Sequence, residues 1–191
     1  ADNKLAFKEH LLYGGGAGYV GGNASASLRN CVFANNAAAA GNYGATPGGA
    51  LALEVSGGGT VEVAACTFTA NAAGGPGGAL HVASGVLDLR NSILWANTAS
   101  NGYEILLTNA ASTGTVAYCD LTGSNAPQAV AVGGAALVWG NGLLAADPLF
   151  AGGADLHLKS KGGRWGPGSM GWVTDTQHSP AIDAGDPASD Y

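Results

Sequence analysis

Asn30-Cys31-Val32-Phe33-Ala34-Asn35-Asn36 returns as Ala65-Cys66-Thr67-Phe68-Thr69-Ala70-Asn71, then as Asn91-Ser92-Ile93-Leu94-Trp95-Ala96-Asn97, then as Tyr118-Cys119-Asp120-Leu121-Thr122-Gly123-Ser124. One column reads Cys31, Cys66, Ser92, Cys119. Two residues on it reads Phe33, Phe68, Leu94, Leu121, and five on Asn36, Asn71, Asn97, Ser124. Leu28, Val63, Leu89 and Val116 stand three residues before the first column. The copies are spaced by 35, 26 and 27 residues, so the connecting stretches vary in length while the strand-like part does not, as in stacked repeats.

Around each copy the polar residues fall between the apolar ones. Ser27, Arg29, Glu62, Asp88 and Arg90 alternate with the core columns, the mark of a strand with one buried face. The phase of this alternation changes just before the Cys/Ser column, which predicts a bend there. Gly15-Gly16-Ala17, Gly48-Gly49-Ala50, Gly77-Gly78-Ala79, Gly133-Gly134-Ala135 and Gly152-Gly153-Ala154 lead into short apolar runs such as Leu51-Ala52-Leu53 and Leu80-His81-Val82. Each repeat therefore offers two or more strands and a glycine corner. Such a unit cannot bury its own apolar face, but units stacked about 4.8 Å apart share one core.

The expected fold is all-β, a right-handed parallel β-helix of roughly five coils. Its predicted parts are a cap or assembly segment over 1–13, repeats over 14–158, and a loop with a terminal motif over 159–191. An asparagine repeated at one turn position can bond its side-chain amide to the copies above and below. A leucine-rich horseshoe needs a denser leucine framework, and a propeller needs four strands per blade.

Composition agrees. The chain holds 33 Gly among 191 residues, a mixture poor for helices and suited to short strands and tight turns. Seven Lys and Arg against 13 Asp and Glu give a net charge of −6, so no basic surface is available for nucleic acid. No apolar run approaches the roughly 20 residues that span a bilayer. The start at Ala1-Asp2-Asn3 fits a mature product released after a small-residue signal site.

Asp147-Pro148-Leu149-Phe150, Asp155-Leu156-His157-Leu158 and Ser179-Pro180-Ala181-Ile182-Asp183-Ala184-Gly185-Asp186-Pro187 resemble the C-terminal end of bacterial secreted right-handed parallel β-helix proteins of the pectate lyase-like superfamily. The Gly-Gly-Ala and Cys-x-Phe-x-x-Asn repeats are similar to those of polymorphic outer-membrane adhesins. This resemblance covers most of 14–187 and implies architecture and an extracellular or cell-surface location, not one activity. In that family a further glycine-rich strand usually follows Ala-Gly-Asp-Pro, so the end at Tyr191 suggests a trimmed protein or a piece of a longer one.

Three cysteines leave no fully paired framework. Buried free thiols are expected at Cys31, Cys66 and Cys119, with a Cys31–Cys66 bridge open on spacing. The acidic outward row of Glu62 and Asp88 with Arg90 is the enzymatic alternative. The resemblance implies how such residues work, since pectate lyase-like proteins hold calcium on acidic side chains beside an Arg or Lys base. Two carboxylates fall short of the six or so oxygen ligands calcium takes, and alternating charges on a sheet are ordinary pairing. No catalytic residue, metal or other cofactor is therefore assigned. Asp183 and Asp186 read as turn formers. Trp165 and Trp172, with Arg164, lie in a Gly/Pro-rich stretch from Lys159 to Ser179 and offer stacking faces for sugar.

The functional expectation is an extracellular structural or adhesive protein, a rod or filament component. The alternative is a polysaccharide-acting enzyme or a carbohydrate-binding module. The expected partners are polysaccharide and a second copy joined end to end. For that contact residues 1–13 offer either a helical lid capped at Asp2 or Asn3, or an edge strand presenting Leu5 and Phe7.

Overall fold

The computed structural model describes residues 14–23, 25–39, 45–122 and 129–189, and no helix occurs among them. Leu5 and Phe7, the cap or assembly segment expected over 1–13, and Ser124 lie outside the described residues. In chain order the strands are β1 (Gly18–Gly22), β2 (Ala26–Arg29), β3 (Val32–Ala34), β4 (Ala37–Ala38), β5 (Leu51–Val55), β6 (Thr60–Ala64) and β7 (Thr67–Thr69). There follow β8 (Ala72–Ala73), β9 (Leu80–Arg90), β10 (Ile93–Trp95), β11 (Ile105–Leu107), β12 (Ser112–Ala117) and β13 (Asp120–Leu121). The last are β14 (Ala129–Ala131), β15 (Ala136–Trp139), β16 (Phe150–Gly152), β17 (Asp155–Leu158), β18 (Arg164–Gly166) and β19 (Gly171–Val173).

Up to β15 every pairing is parallel, and the chain visits the same ladders in the same order. The first ladder runs β1-β5-β9-β11-β14, the second β2-β6-β9-β12-β15, and the third β3-β7-β10-β13. β4 pairs with β8. The long strand β9 serves the first two ladders, crossing between them at Gly85, whose φ is 96°.

The predicted columns are the observed registers. Phe33 faces Phe68, Phe68 faces Leu94, and Leu94 faces Leu121. Leu28, Val63, Leu89 and Val116 also stack. The two phenyl rings lie 4.7 Å apart and 9° from parallel. The anticipated bend sits at Asn30, Ala65, Asn91 and Tyr118, all left-handed with φ between 51° and 53°. It turns each chain pass out of the second ladder, so that Val63, Phe68, Leu89, Leu94 and Leu121 from different ladders meet in one core. Cys31, Cys66 and Cys119 are free thiols. Burial pushes Cys119 up to about 12 and raises Cys66 as well, which keeps both as inert neutral packing groups.

The glycine corner is a close-approach requirement. A Cβ on Gly16 would lie 2.2 Å from the carbonyl oxygen of Gly49, and one on Gly49 or Gly78 2.0 Å from the carbonyl of Gly78 or Tyr103. Two of the five sequence copies do not belong to this column. Gly133-Gly134 forms the turn between β14 and β15, with φ of 62° and 84°, and Gly152-Gly153 the turn of the antiparallel pair β16–β17. The fourth member is Gly102-Tyr103-Glu104, whose carbonyls accept from Gly78, Ala79 and Leu80, while Gly77 N donates to Asn101 O just before it.

Glu104 thereby occupies the position of Ala50 and Ala79, and it is fully buried. It also ends the asparagine ladder. Asn71 Oδ1 accepts from the Asn36 backbone N at 3.0 Å and side-chain amide at 2.8 Å, and Asn97 Oδ1 accepts likewise from Asn71 at 2.9 and 2.8 Å. The Asn97 amide then donates to Glu104 Oε2, while Glu104 Oε1 has no partner among the described residues. Burial raises this carboxyl to about 7 against the pull of Asn97 and Thr122.

Phe68→Ala is expected to cost about 3–5 kcal/mol, and Cys66→Ser less, because Ser92 holds that column with its hydroxyl bonded at 2.8 Å to the Arg90 carbonyl; denaturant unfolding checks the ranking. Glu104 binds a proton when folded that the unfolded chain releases. Stability is therefore expected to be full below about pH 4.5 and to fall by roughly 3 kcal/mol as pH rises through 7. Glu104→Gln is expected to flatten this slope in pH-dependent melting.

Candidate functional site

Ser27, Glu62 and Asp88 stand side by side on the outer face of the second ladder, and Arg29, Ala64 and Arg90 form the row two residues on. Sequence reasoning brought Glu62, Asp88 and Arg90 together, and the structure does the same. Glu62 Oε1 takes Arg29 Nη2 at 2.6 Å and also Arg90 Nη2, while Ser27 Oγ donates to Oε2 at 2.9 Å. Arg90 Nη2 lies 3.4 Å from Asp88 Oδ2. Arg90, Ser27 and Arg29 together hold the Glu62 carboxyl down to about 2. A carboxylate so fixed does not deliver a proton near neutral pH, and an arginine bonded to it does not remove one. The row is an internally balanced charge network.

The stretch read from sequence as a loop contains the antiparallel pair β18–β19. Trp165 and Trp172 are directly opposed across it, so both indoles stand on one face. They are 43% and 78% exposed. Arg164 is placed differently from its anticipated role beside them. Its Nε reaches Asp175 Oδ2 at 2.8 Å and its Nη1 reaches Asp155 Oδ2 at 2.9 Å, with only 15% of the side chain exposed. Asp175 also accepts the Ser160 backbone N at 2.9 Å. The guanidinium thus pins the hairpin to β17 and leaves the contact surface to the tryptophans. Asp183 adopts φ 58° and Asp186 caps the Ala188 backbone N at 2.9 Å, as turn residues do.

A third group escaped the sequence reading. Tyr19, Ala52 and His81 are consecutive on the outer face of the first ladder, and Tyr19 Oη donates to Glu54 Oε2 at 3.0 Å. The Tyr19 ring lies across Gly21, where a Cβ would come within 2.3 Å of it. These side chains line a cleft of about 220 Å³. Burial lowers the pKa of His81 against the pull of Glu54, so the ring is neutral at pH 7 and can accept a proton. Aligning the three valid Gly-Gly-Ala copies puts Tyr19, Ala52 and His81 in one column, two residues past the alanine. Among the described residues no group of three or more His, Cys, Asp or Glu is arranged to hold a metal ion, and no helix is long and apolar enough to cross a membrane.

A family model described as disaggregatase related matches residues 79–185, from β9 through the terminal Ser-Pro-Ala-Ile-Asp-Ala-Gly motif. Comparison with curated proteins and with solved structures gave no match.

Proposed function

The chain belongs to the disaggregatase-related family, and on that premise we propose that it is an extracellular right-handed parallel β-helix of roughly five coils that adheres to polysaccharide at a cell surface. The solenoid reading draws support from the cyclic order of the three parallel ladders and from the 26- and 35-residue steps between bonded asparagines. The resemblance to secreted pectate lyase-like and adhesin repeats supports both the handedness and the location.

The observation that carries the binding reading is the opposed pair Trp165 and Trp172. Exposed indoles on a hairpin locked by a doubly paired arginine form a preordered apolar platform, and such platforms stack on the apolar faces of sugar rings. Large exposed aromatics that do nothing are a liability for a secreted protein. The balanced charges around Glu62 favour a rod-like scaffold over an acid–base site on that face. A family named for disaggregation accords with a protein that works on the material holding aggregates together. A second reading, a polysaccharide-cleaving enzyme, is favoured by Tyr19, Glu54 and His81, which supply a phenol, a carboxylate and a neutral imidazole around one cleft.

Trp165→Ala with Trp172→Ala is expected to weaken sedimentation with insoluble polysaccharide by ten-fold or more while melting stays near wild type, since loss of a stacked aromatic costs about 1–3 kcal/mol. Retention of full binding by the double variant would refute the platform. Release of new reducing or unsaturated ends by the wild type, abolished by His81→Ala, would move the protein to the second reading.

A further inference from the structure

A cavity lies between the third ladder and the terminal motif. It measures about 410 Å³, within the range of small-molecule sites. Its floor is the outer face of β7, β10 and β13, where Thr67, Ile93 and Asp120 are register neighbours. Its roof includes Leu158, Ala181 and Ala184. Asn91 holds the roof from below, its Oδ1 accepting the Asp186 backbone N at 2.7 Å and its Nδ2 donating to Ser189 Oγ at 3.0 Å. The two walls are therefore positioned by direct bonds.

Asp120 is the feature that the fold does not need. The equivalent positions are Val32, Thr67 and Ile93, of which Val32 is exposed, whereas Asp120 is 3% exposed. One carboxylate oxygen, Oδ1, accepts the Ala146 backbone N at 3.2 Å. The other, Oδ2, is buried without a partner among the described residues. Among the described residues no Lys, Arg or His lines the cavity, and leaving a buried carboxylate oxygen unpaired is costly. A ligand that brings a cationic donor recovers that cost, whereas an anionic one is repelled. The remaining lining mixes apolar side chains with the polar groups of Thr67, Asn30 and Tyr118, which suits a small ring bearing hydroxyls.

We propose that this cavity binds the amine-bearing residue of an amino sugar, its ammonium group paired with the Asp120 carboxylate and its ring held between Ile93 and Ala184. The sugar body rests on the carbohydrate reading given above; the cationic end rests on Asp120 alone. Burial raises the Asp120 pKa, and an ammonium partner removes that penalty.

The test is NMR titration of the 15N-labelled full chain with D-glucosamine, N-acetyl-D-glucosamine and D-glucuronic acid. Glucosamine is expected to shift the amides of Ile93, Asp120, Ala184 and Gly185, with N-acetylglucosamine at least ten-fold weaker and glucuronic acid without effect. Asp120→Asn, which keeps the side-chain shape, is expected to abolish the preference for the free amine. Ile93→Trp, which fills the cavity, is expected to abolish binding of both amino sugars. Absence of glucosamine shifts at these amides, or equal affinity for the acetylated sugar in the wild type, overturns the inference whether or not the variants fold. The Trp165→Ala, Trp172→Ala double variant separates this outcome from the platform reading. It is expected to lose polysaccharide binding and keep the glucosamine shifts.

Discussion

In-register parallel pairing is the constraint on which the rest depends. When strands bond to their own later copies, each side chain sits about 4.8 Å from the equivalent side chain on either side, so a column survives only if its residue tolerates itself as neighbour. Phenylalanine does, by stacking at 4.7 Å. Asparagine does so better, because one oxygen can accept both the backbone and the side-chain N–H of the preceding copy, as Asn71 and Asn97 do. Serine lacks the second donor. Glycine at 16, 49 and 78 satisfies the same rule in the negative sense, since any Cβ would enter the next backbone.

Charge does not obey this rule unaided. Glu62 faces Asp88 in register, an arrangement that like-charge repulsion disfavours. Arg29 and Arg90, two residues away on the flanking strands, offset it by converging on one Glu62 oxygen. What resembles an acidic catalytic face is thus a solution to a stacking problem. The places where function is better sought are those that break the column rule: Trp165 and Trp172 beyond the parallel ladders, the mixed column of Tyr19, Ala52 and His81, and Asp120 and Glu104 where neutral residues stand in the other copies.

The columns were legible in the sequence because each is repeated with unchanged internal spacing, and even the bend was visible as a change of phase at Asn30, Ala65, Asn91 and Tyr118. The glycine corners were legible only in part. Two adjacent glycines serve a close approach at Gly15-Gly16 and a reverse turn at Gly133-Gly134 or Gly152-Gly153, and composition does not separate the two uses. The true fourth corner, Gly102-Tyr103-Glu104, was hidden because it keeps one glycine and replaces alanine by a buried acid. The hairpin carrying Trp165 and Trp172 was hidden by its short strands and many glycines. The cavity above Asp120 joins residues nearly a hundred positions apart through the terminal motif, outside the repeat and beyond its periodicity.

The most direct test of the account is a nuclear Overhauser measurement on selectively labelled protein, with 15N asparagine and 13C phenylalanine. In-register stacking predicts cross-peaks between the side-chain amides of Asn36 and Asn71 and of Asn71 and Asn97, together with ring contacts between Phe33 and Phe68. Contacts of these residues with antiparallel partners within their own repeat, and none between the copies, would contradict it.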